Sequence, residues 1–132
     1  MSRQKRKGDT YERELAAYFN DRLYGSGDRV SRAPLSGGGR SLHGGGAADL
    51  LGTPDLWVEA KRTEKLTPHA AIAQAERGIA ASRCPDMAVV INRRNRMTTG
   101  ESLTFMRLDD FLKIYKAYLK SEGHKLGDED LQ

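Results

Sequence analysis

The stretch "DMAVVIN", residues 86–92, is a nearly continuous apolar run with no polar face. Such a run reads as a central strand covered on both sides, so the rest of the chain must supply the cover. "DTYERELAAYFNDRLY" places Tyr11, Leu15, Tyr18 and Leu23 at helical spacing, with Phe19 alongside and Asp9 or Thr10 as N-cap. "KLTPHAAIAQAERGIAAS" predicts a second helix, with Thr67 as N-cap and Pro68 in the first turn. "DDFLKIYKAYLKSE" predicts a third, amphipathic through Phe111, Ile114, Tyr115 and Tyr118, an aromatic stripe suited to core or dimer packing. "RVSRA" and "SLTFMRL" read as strands, and "RRNRMTTGE" as a polar turn. "ADLLG" and "LWVEAK", parted by "TPD", read as a β-hairpin. The expected fold is α/β, a single domain with a central mixed sheet flanked by helices in the order α-β-β-β-α-β-β-α.

With 132 residues, the chain suits one domain with one modest core. Residues 9–121 are the expected folded domain, after a flexible basic arm (1–8) and before a frayed acidic tail (122–132). Within the domain, the segment 34–47 holds the glycine triplets Gly37–Gly39 and Gly44–Gly46 and has no periodicity; it reads as a mobile loop. No apolar run nears the ~20 residues of a membrane-spanning helix, and no apolar segment follows the basic start, so neither a membrane anchor nor a signal peptide is expected. The lone Cys84 excludes an internal disulfide and a Cys/His zinc motif. A cytoplasmic protein with a buried or half-buried thiol is the expectation.

The formal net charge is +4, and the basic residues cluster. Arg3, Lys5, Arg6 and Lys7 open the chain, Arg29, Arg32 and Arg40 frame the glycine segment, and Arg93, Arg94 and Arg96 follow the central strand. Each cluster alone is ordinary solvated surface; three in a short chain favour a nucleic acid partner.

The chemistry gathers on "LWVEAK". Alternation sends Leu56, Val58 and Ala60 to one face and Trp57, Glu59 and Lys61 to the other, while Asp49 lies across the hairpin from the Glu59 end. Two carboxylates and an ammonium can then converge. Hard divalent cations take such oxygen ligands together with water and phosphate, and a lysine beside them can orient an attacking water or stabilise developing charge. The competing interpretation is a solvent-facing Glu/Lys pair of little energetic weight. Asp55 rivals Asp49 but occupies the turn, where aspartate is expected for backbone reasons. Glu12 shares a helix face with Leu15 and Phe19 and can turn toward the sheet, or it can close a capping box with Asp9. Gln74 is either solvated or near Lys61, His69 reads as surface, and His43 falls in the glycine loop.

"KGDTYEREL" (7–15), "RAPLSGG" (32–38), "AD" (48–49) and "VEAK" (58–61) together resemble, in order and approximate spacing, the archaeal-type Holliday junction resolvases of the PD-(D/E)xK nuclease superfamily. The resemblance covers about residues 5–107. It implies a restriction-endonuclease-like fold and a homodimer that nicks four-way DNA junctions symmetrically with Mg²⁺, or Mn²⁺ in its place, with no small-molecule cofactor. By the same resemblance, Asp49, Glu59 and Glu12 are metal ligands and Lys61 the catalytic lysine. Ser36 belongs to a loop acting near the scissile strand. Arg32 is a phosphate contact; Arg3, Lys5, Arg6, Lys7 and Arg40 supply further basic contact. The implied location is with the nucleoid, of cellular or viral origin. Other nucleases of the superfamily, acting on flaps, forks or duplex ends, and a catalytically silent DNA-structure-binding protein are the alternatives. Two features depart from the simplest members: the long glycine-rich stretch between Ser36 and Asp49, and the helix after residue 108.

Overall fold

A computed structural model of the chain describes residues 3–34 and 47–127. In chain order it has helix α1 (Arg3–Tyr24), strands β1 (Ser31–Arg32), β2 (Leu50–Leu51) and β3 (Leu56–Lys61), helix α2 (Pro68–Ser82), strand β4 (Met87–Asn92), a 3-10 turn (Thr99–Glu101), strand β5 (Leu103–Phe105) and helix α3 (Leu108–Ser121). The expected element order is the observed one.

The apolar run is β4, in the middle of the sheet β3-β4-β5. It runs parallel to β3, with Glu59 opposite Val90 and Lys61 opposite Asn92, and antiparallel to β5. The sheet is therefore mixed, and α2 is the crossover that a parallel β3–β4 pair requires. Side-chain alternation then builds two half-cores. Val58, Val89 and Ile91 pack against Tyr11, Leu15 and Ala16 of α1, while Trp57, Ala88 and Val90 pack against Ala71, Ile72 and Ala75 of α2. Val58 and Val90 are wholly buried, each contributing about 1.5–3 kcal/mol. Leu56, Val58 and Ala60 face the core as expected; the opposite face, carrying Trp57, is covered too.

The structure corrects three expectations. Residues 3–8, read as a flexible arm, form the first turns of α1. Arginine, glutamine and lysine are good helix formers, and the helical register of Tyr11 and Leu15 simply extends backward, so Asp9 lies inside the helix and does not cap it. The expected hairpin is only partly formed. Asp49 N–H donates to Val58 O at 2.9 Å, but the strand partner of β2 is β1, with Arg32 opposite Leu50. Asn20 of α1 prepares that ribbon: its side-chain amide donates to Val30 O and accepts from Val30 N–H, both at 2.8 Å. The aromatic stripe of α3 is not core, since none of that helix's residues is buried among the described residues. Thr67 is the N-cap of α2, as expected: its carbonyl accepts from Ala71 N–H at 3.0 Å, and its side chain makes no capping bond.

Gly52 makes the turn from β2 into β3 possible. Its φ is +84°, and a Cβ there would overlap the backbone carbonyl of Arg29. Asp55, in the same turn, has φ +69°, a region aspartate tolerates, and its carbonyl accepts from Met87 N–H at 2.8 Å. Cys84 is half-buried. The acidic tail is described only to residue 127, without regular structure after α3, and the expected mobile loop falls almost wholly outside the described residues. Among the described residues, no helix is long and apolar enough to cross a membrane.

Candidate active site

Asp49 stands just before β2, against the edge of β3. Its backbone bond to Val58 fixes the register, and its Oδ2 accepts from Ala60 N–H at 2.8 Å. Glu59, on the α2 side of β3, is only 7% exposed and accepts from Trp57 Nε1–H at 2.9 Å through Oε1. The Asp49 and Glu59 carboxyls are near enough for the charge of Glu59 to act on Asp49. Burial, and then the charge of Glu59, push Asp49 up to about 7, while the Ala60 N–H and the charge of Lys61 act in the opposite direction. At that value the Asp49 carboxyl is still partly protonated at neutral pH, and a cation beside it would replace the proton.

Glu12 borders this pair. Its carboxyl is raised by burial, then by the charge of Asp49, against the hydrogen bond from Arg32. Arg32 Nε donates to Glu12 Oε2 at 2.9 Å. Its Nη2 lies 2.8 Å from Asp9 Oδ1, an ion pair without hydrogen-bond alignment. Asp9 and Glu12 are thus linked through Arg32, and no Asp9–Glu12 capping box forms. Lys61, two residues beyond Glu59, donates from Nζ to Gln74 Oε1 at 3.2 Å, which puts Gln74 on the lysine.

The basic residues at the start of α1 face a cleft. Arg3, Arg6 and Lys7 line a space of about 460 Å³ together with Arg62, Arg93 and Glu14. Arg93 is fixed there by bonds to Met97 O at 2.6 Å and Glu14 Oε2 at 2.8 Å. Lys5 is exposed on the same turns. A second cleft, about 360 Å³, holds Lys61, Lys65, Gln74 and Arg77. The two clefts flank the carboxyl ends of the parallel strands β3 and β4, where open α/β sheets bind ligands. Ser36, Arg40 and His43 lie outside the described residues. His69 is exposed, as expected for a surface residue.

Sequence reasoning missed Asp9 as the second partner of Arg32, Trp57 as the donor to Glu59, and Arg62 and Arg93 as cleft walls. The Trp57–Glu59 spacing already places both on one strand face; the other contacts join segments far apart in sequence and leave no local signal.

Among the described residues, no group of three or more His, Cys, Asp or Glu side chains is placed to hold a metal ion. The Asp49–Glu59 pair alone does fit a hard divalent cation. It offers oxygen donors, and its raised affinity for a proton marks a place where positive charge is favoured. Two carboxylates with water and phosphate are the usual set for Mg²⁺. Glu12 would join them only after leaving Arg32. The chain matches no protein-family model, no curated protein and no solved structure.

Proposed function

We propose that the chain is a Mg²⁺-dependent, structure-selective endonuclease: a Holliday junction resolvase that works as a homodimer on four-way DNA junctions at the nucleoid, with Mn²⁺ able to replace Mg²⁺. The observation that carries this reading is the close, largely buried Asp49–Glu59 carboxyl pair, with Glu12 beside it and Lys61 on the same strand face as Glu59. A binding protein has no use for buried carboxyls in mutual repulsion, whereas a cation site needs them. The four motifs resembling the resolvases include each of these residues.

Asp49 and Glu59 would hold the cation, with Glu12 completing the set. A bound divalent cation supplies a more acidic water and positive charge against the scissile phosphate. Trp57 holds the Glu59 carboxylate in place, and the Ala60 N–H does the same for Asp49, so the donors need little reorganisation. Lys61, held by its bond to Gln74, would orient the attacking water or balance charge on the departing oxygen. The basic clefts on either side would carry the DNA backbone, with Ser36 and Arg40 of the glycine segment next to the scissile strand, as in the resolvases that the motifs resemble.

A labelled four-way junction and a linear duplex of the same sequence, each incubated with the protein and Mg²⁺, test this. Paired symmetric nicks on the junction alone are expected. Equal cutting of the duplex would transfer the reading to another nuclease of the superfamily. Junction binding without cutting in either metal would leave a silent DNA-structure-binding protein.

A further inference from the structure

Three charged side chains meet between α1 and β1. Arg32 Nε donates to Glu12 Oε2 at 2.9 Å, and its Nη2 lies 2.8 Å from Asp9 Oδ1. The three side chains are 13–17% exposed, so each charge depends on its partner and would be costly to leave alone. The Nη2 is buried, yet it makes no aligned hydrogen bond among the described residues. A buried donor in that state is open to a better acceptor. A phosphate oxygen is one, because it suits the guanidinium fork.

The cluster is tied to the carboxyl pair. Ala33 N–H, one residue on from Arg32, donates to Asp49 O at 2.9 Å, and the charge of Asp49 acts on Glu12. Glu12 therefore stands beside Asp49 and Glu59 as a third carboxylate that is already taken by Arg32.

Charge balance decides when Glu12 changes partner. A cation that drew Glu12 away would leave Arg32 with Asp9 alone. A phosphate that drew Arg32 away would leave Glu12 beside Asp49 with no opposite charge. When both arrive, every charge regains an opposite one: Glu12 the cation and Arg32 the phosphate, with Asp9 still anchoring the guanidinium. The two events favour each other, and each raises the affinity of the other by the same factor.

We infer that Arg32 gates the metal site: it withholds Glu12 in the DNA-free chain and releases it when a DNA backbone phosphate takes the guanidinium, so the third carboxylate reaches the cation only with substrate in place. Asp9 is the positioning residue that keeps Arg32 at hand during the exchange. The identity of the phosphate rests on the nuclease reading above.

Mn²⁺ binding to the DNA-free chain, read by electron paramagnetic resonance of the free ion, tests the gate in a double-mutant cycle. Arg32→Ala should bind Mn²⁺ about tenfold or more tightly than wild type. Adding Glu12→Gln should lower affinity about tenfold or more in the Arg32→Ala chain, and by less than about threefold in wild type. Equal losses in the two backgrounds would overturn the inference, because Glu12 would then meet the cation, or miss it, regardless of Arg32. Circular dichroism keeps a misfolded Arg32→Ala out of the comparison. A second measurement needs only Glu12→Gln, which leaves Arg32 its ion pair with Asp9. Binding to intact junction is read by fluorescence anisotropy in EDTA and in Ca²⁺, a hard cation with the same taste for oxygen donors, at matched ionic strength. The cation should tighten binding about fivefold or more beyond its effect on Glu12→Gln. The same Ca²⁺ effect in both chains would overturn the gate. Junction cutting in Mg²⁺, measured separately, tells this failure from failure of the nuclease reading. A chain that cuts but shows an additive cycle loses only the gate; one that passes both binding tests and never cuts loses only the nuclease.

Discussion

The Asp49–Glu59 pair makes stability depend on pH in a direction opposite to that of most carboxylates. Asp49 is raised from the ordinary value of 3.8 to about 7, first by burial and then by the charge of Glu59. Between those values the folded chain holds a proton that the unfolded chain has released. The slope of unfolding free energy with pH is then negative: the contribution of Asp49 is fully present below about pH 4 and is lost as pH rises to about 7. Roughly three pH units at about 1.36 kcal/mol each is about 4 kcal/mol. Glu12, also raised, adds in the same direction. Urea unfolding followed by fluorescence of Trp57, the one tryptophan and a hydrogen-bond donor to Glu59, reads this directly. Measured in EDTA from pH 4.5 to 8.5, wild type should lose stability relative to Asp49→Asn, and the variant should be the more stable chain at pH 8.5. Subtracting the two curves removes the titration of the groups that do not interact with Asp49. Saturating Mg²⁺ should return about 2–3 kcal/mol to wild type at pH 8.5 and little at pH 4.5, where the proton occupies the pair. Parallel curves for wild type and variant would refute the reasoning, since Asp49 would then not be holding its proton more tightly in the folded state.

Other substitutions probe the supports of the site. Arg32→Ala leaves Asp9 and Glu12 mostly buried without their guanidinium and should cost about 3 kcal/mol at neutral pH, read by thermal melting, with a smaller loss at pH 4 where Glu12 is protonated. Asn20→Ala removes both bonds that hold Val30 and should cost about 2–3 kcal/mol, read by urea unfolding. Arg62→Ala takes one cation from the cleft at the start of α1; junction binding should weaken, and the slope of log affinity against log salt should become shallower by about one.

Much of the fold was legible because its signals are local. The apolar run of β4, Pro68 at the start of α2 and the Leu56–Lys61 alternation each predict their own element. The Asp49–Glu59–Lys61 grouping was legible for the same reason: two of its members share a strand face, and the third sits across a short turn. What escaped depends on partners distant in sequence. The two-residue strands β1 and β2 are too short to carry an alternation, so their mutual pairing leaves no pattern. A basic composition hid the helix at residues 3–8, because charge suggests solvent while propensity favours helix. The aromatic stripe of α3 looks the same in sequence whether it is covered by its own domain or by another copy.

The central claim is that Asp49, Glu59 and Lys61 form a cation-dependent phosphodiesterase site. Its most direct measurement compares wild type and Lys61→Met on one labelled four-way junction, scoring binding in EDTA and cutting in Mg²⁺ from the same preparation. Junction affinity should fall by no more than the loss of one phosphate contact, while cutting should fall by about a hundredfold or more in the variant. Cutting by Lys61→Met at the wild-type rate would contradict it.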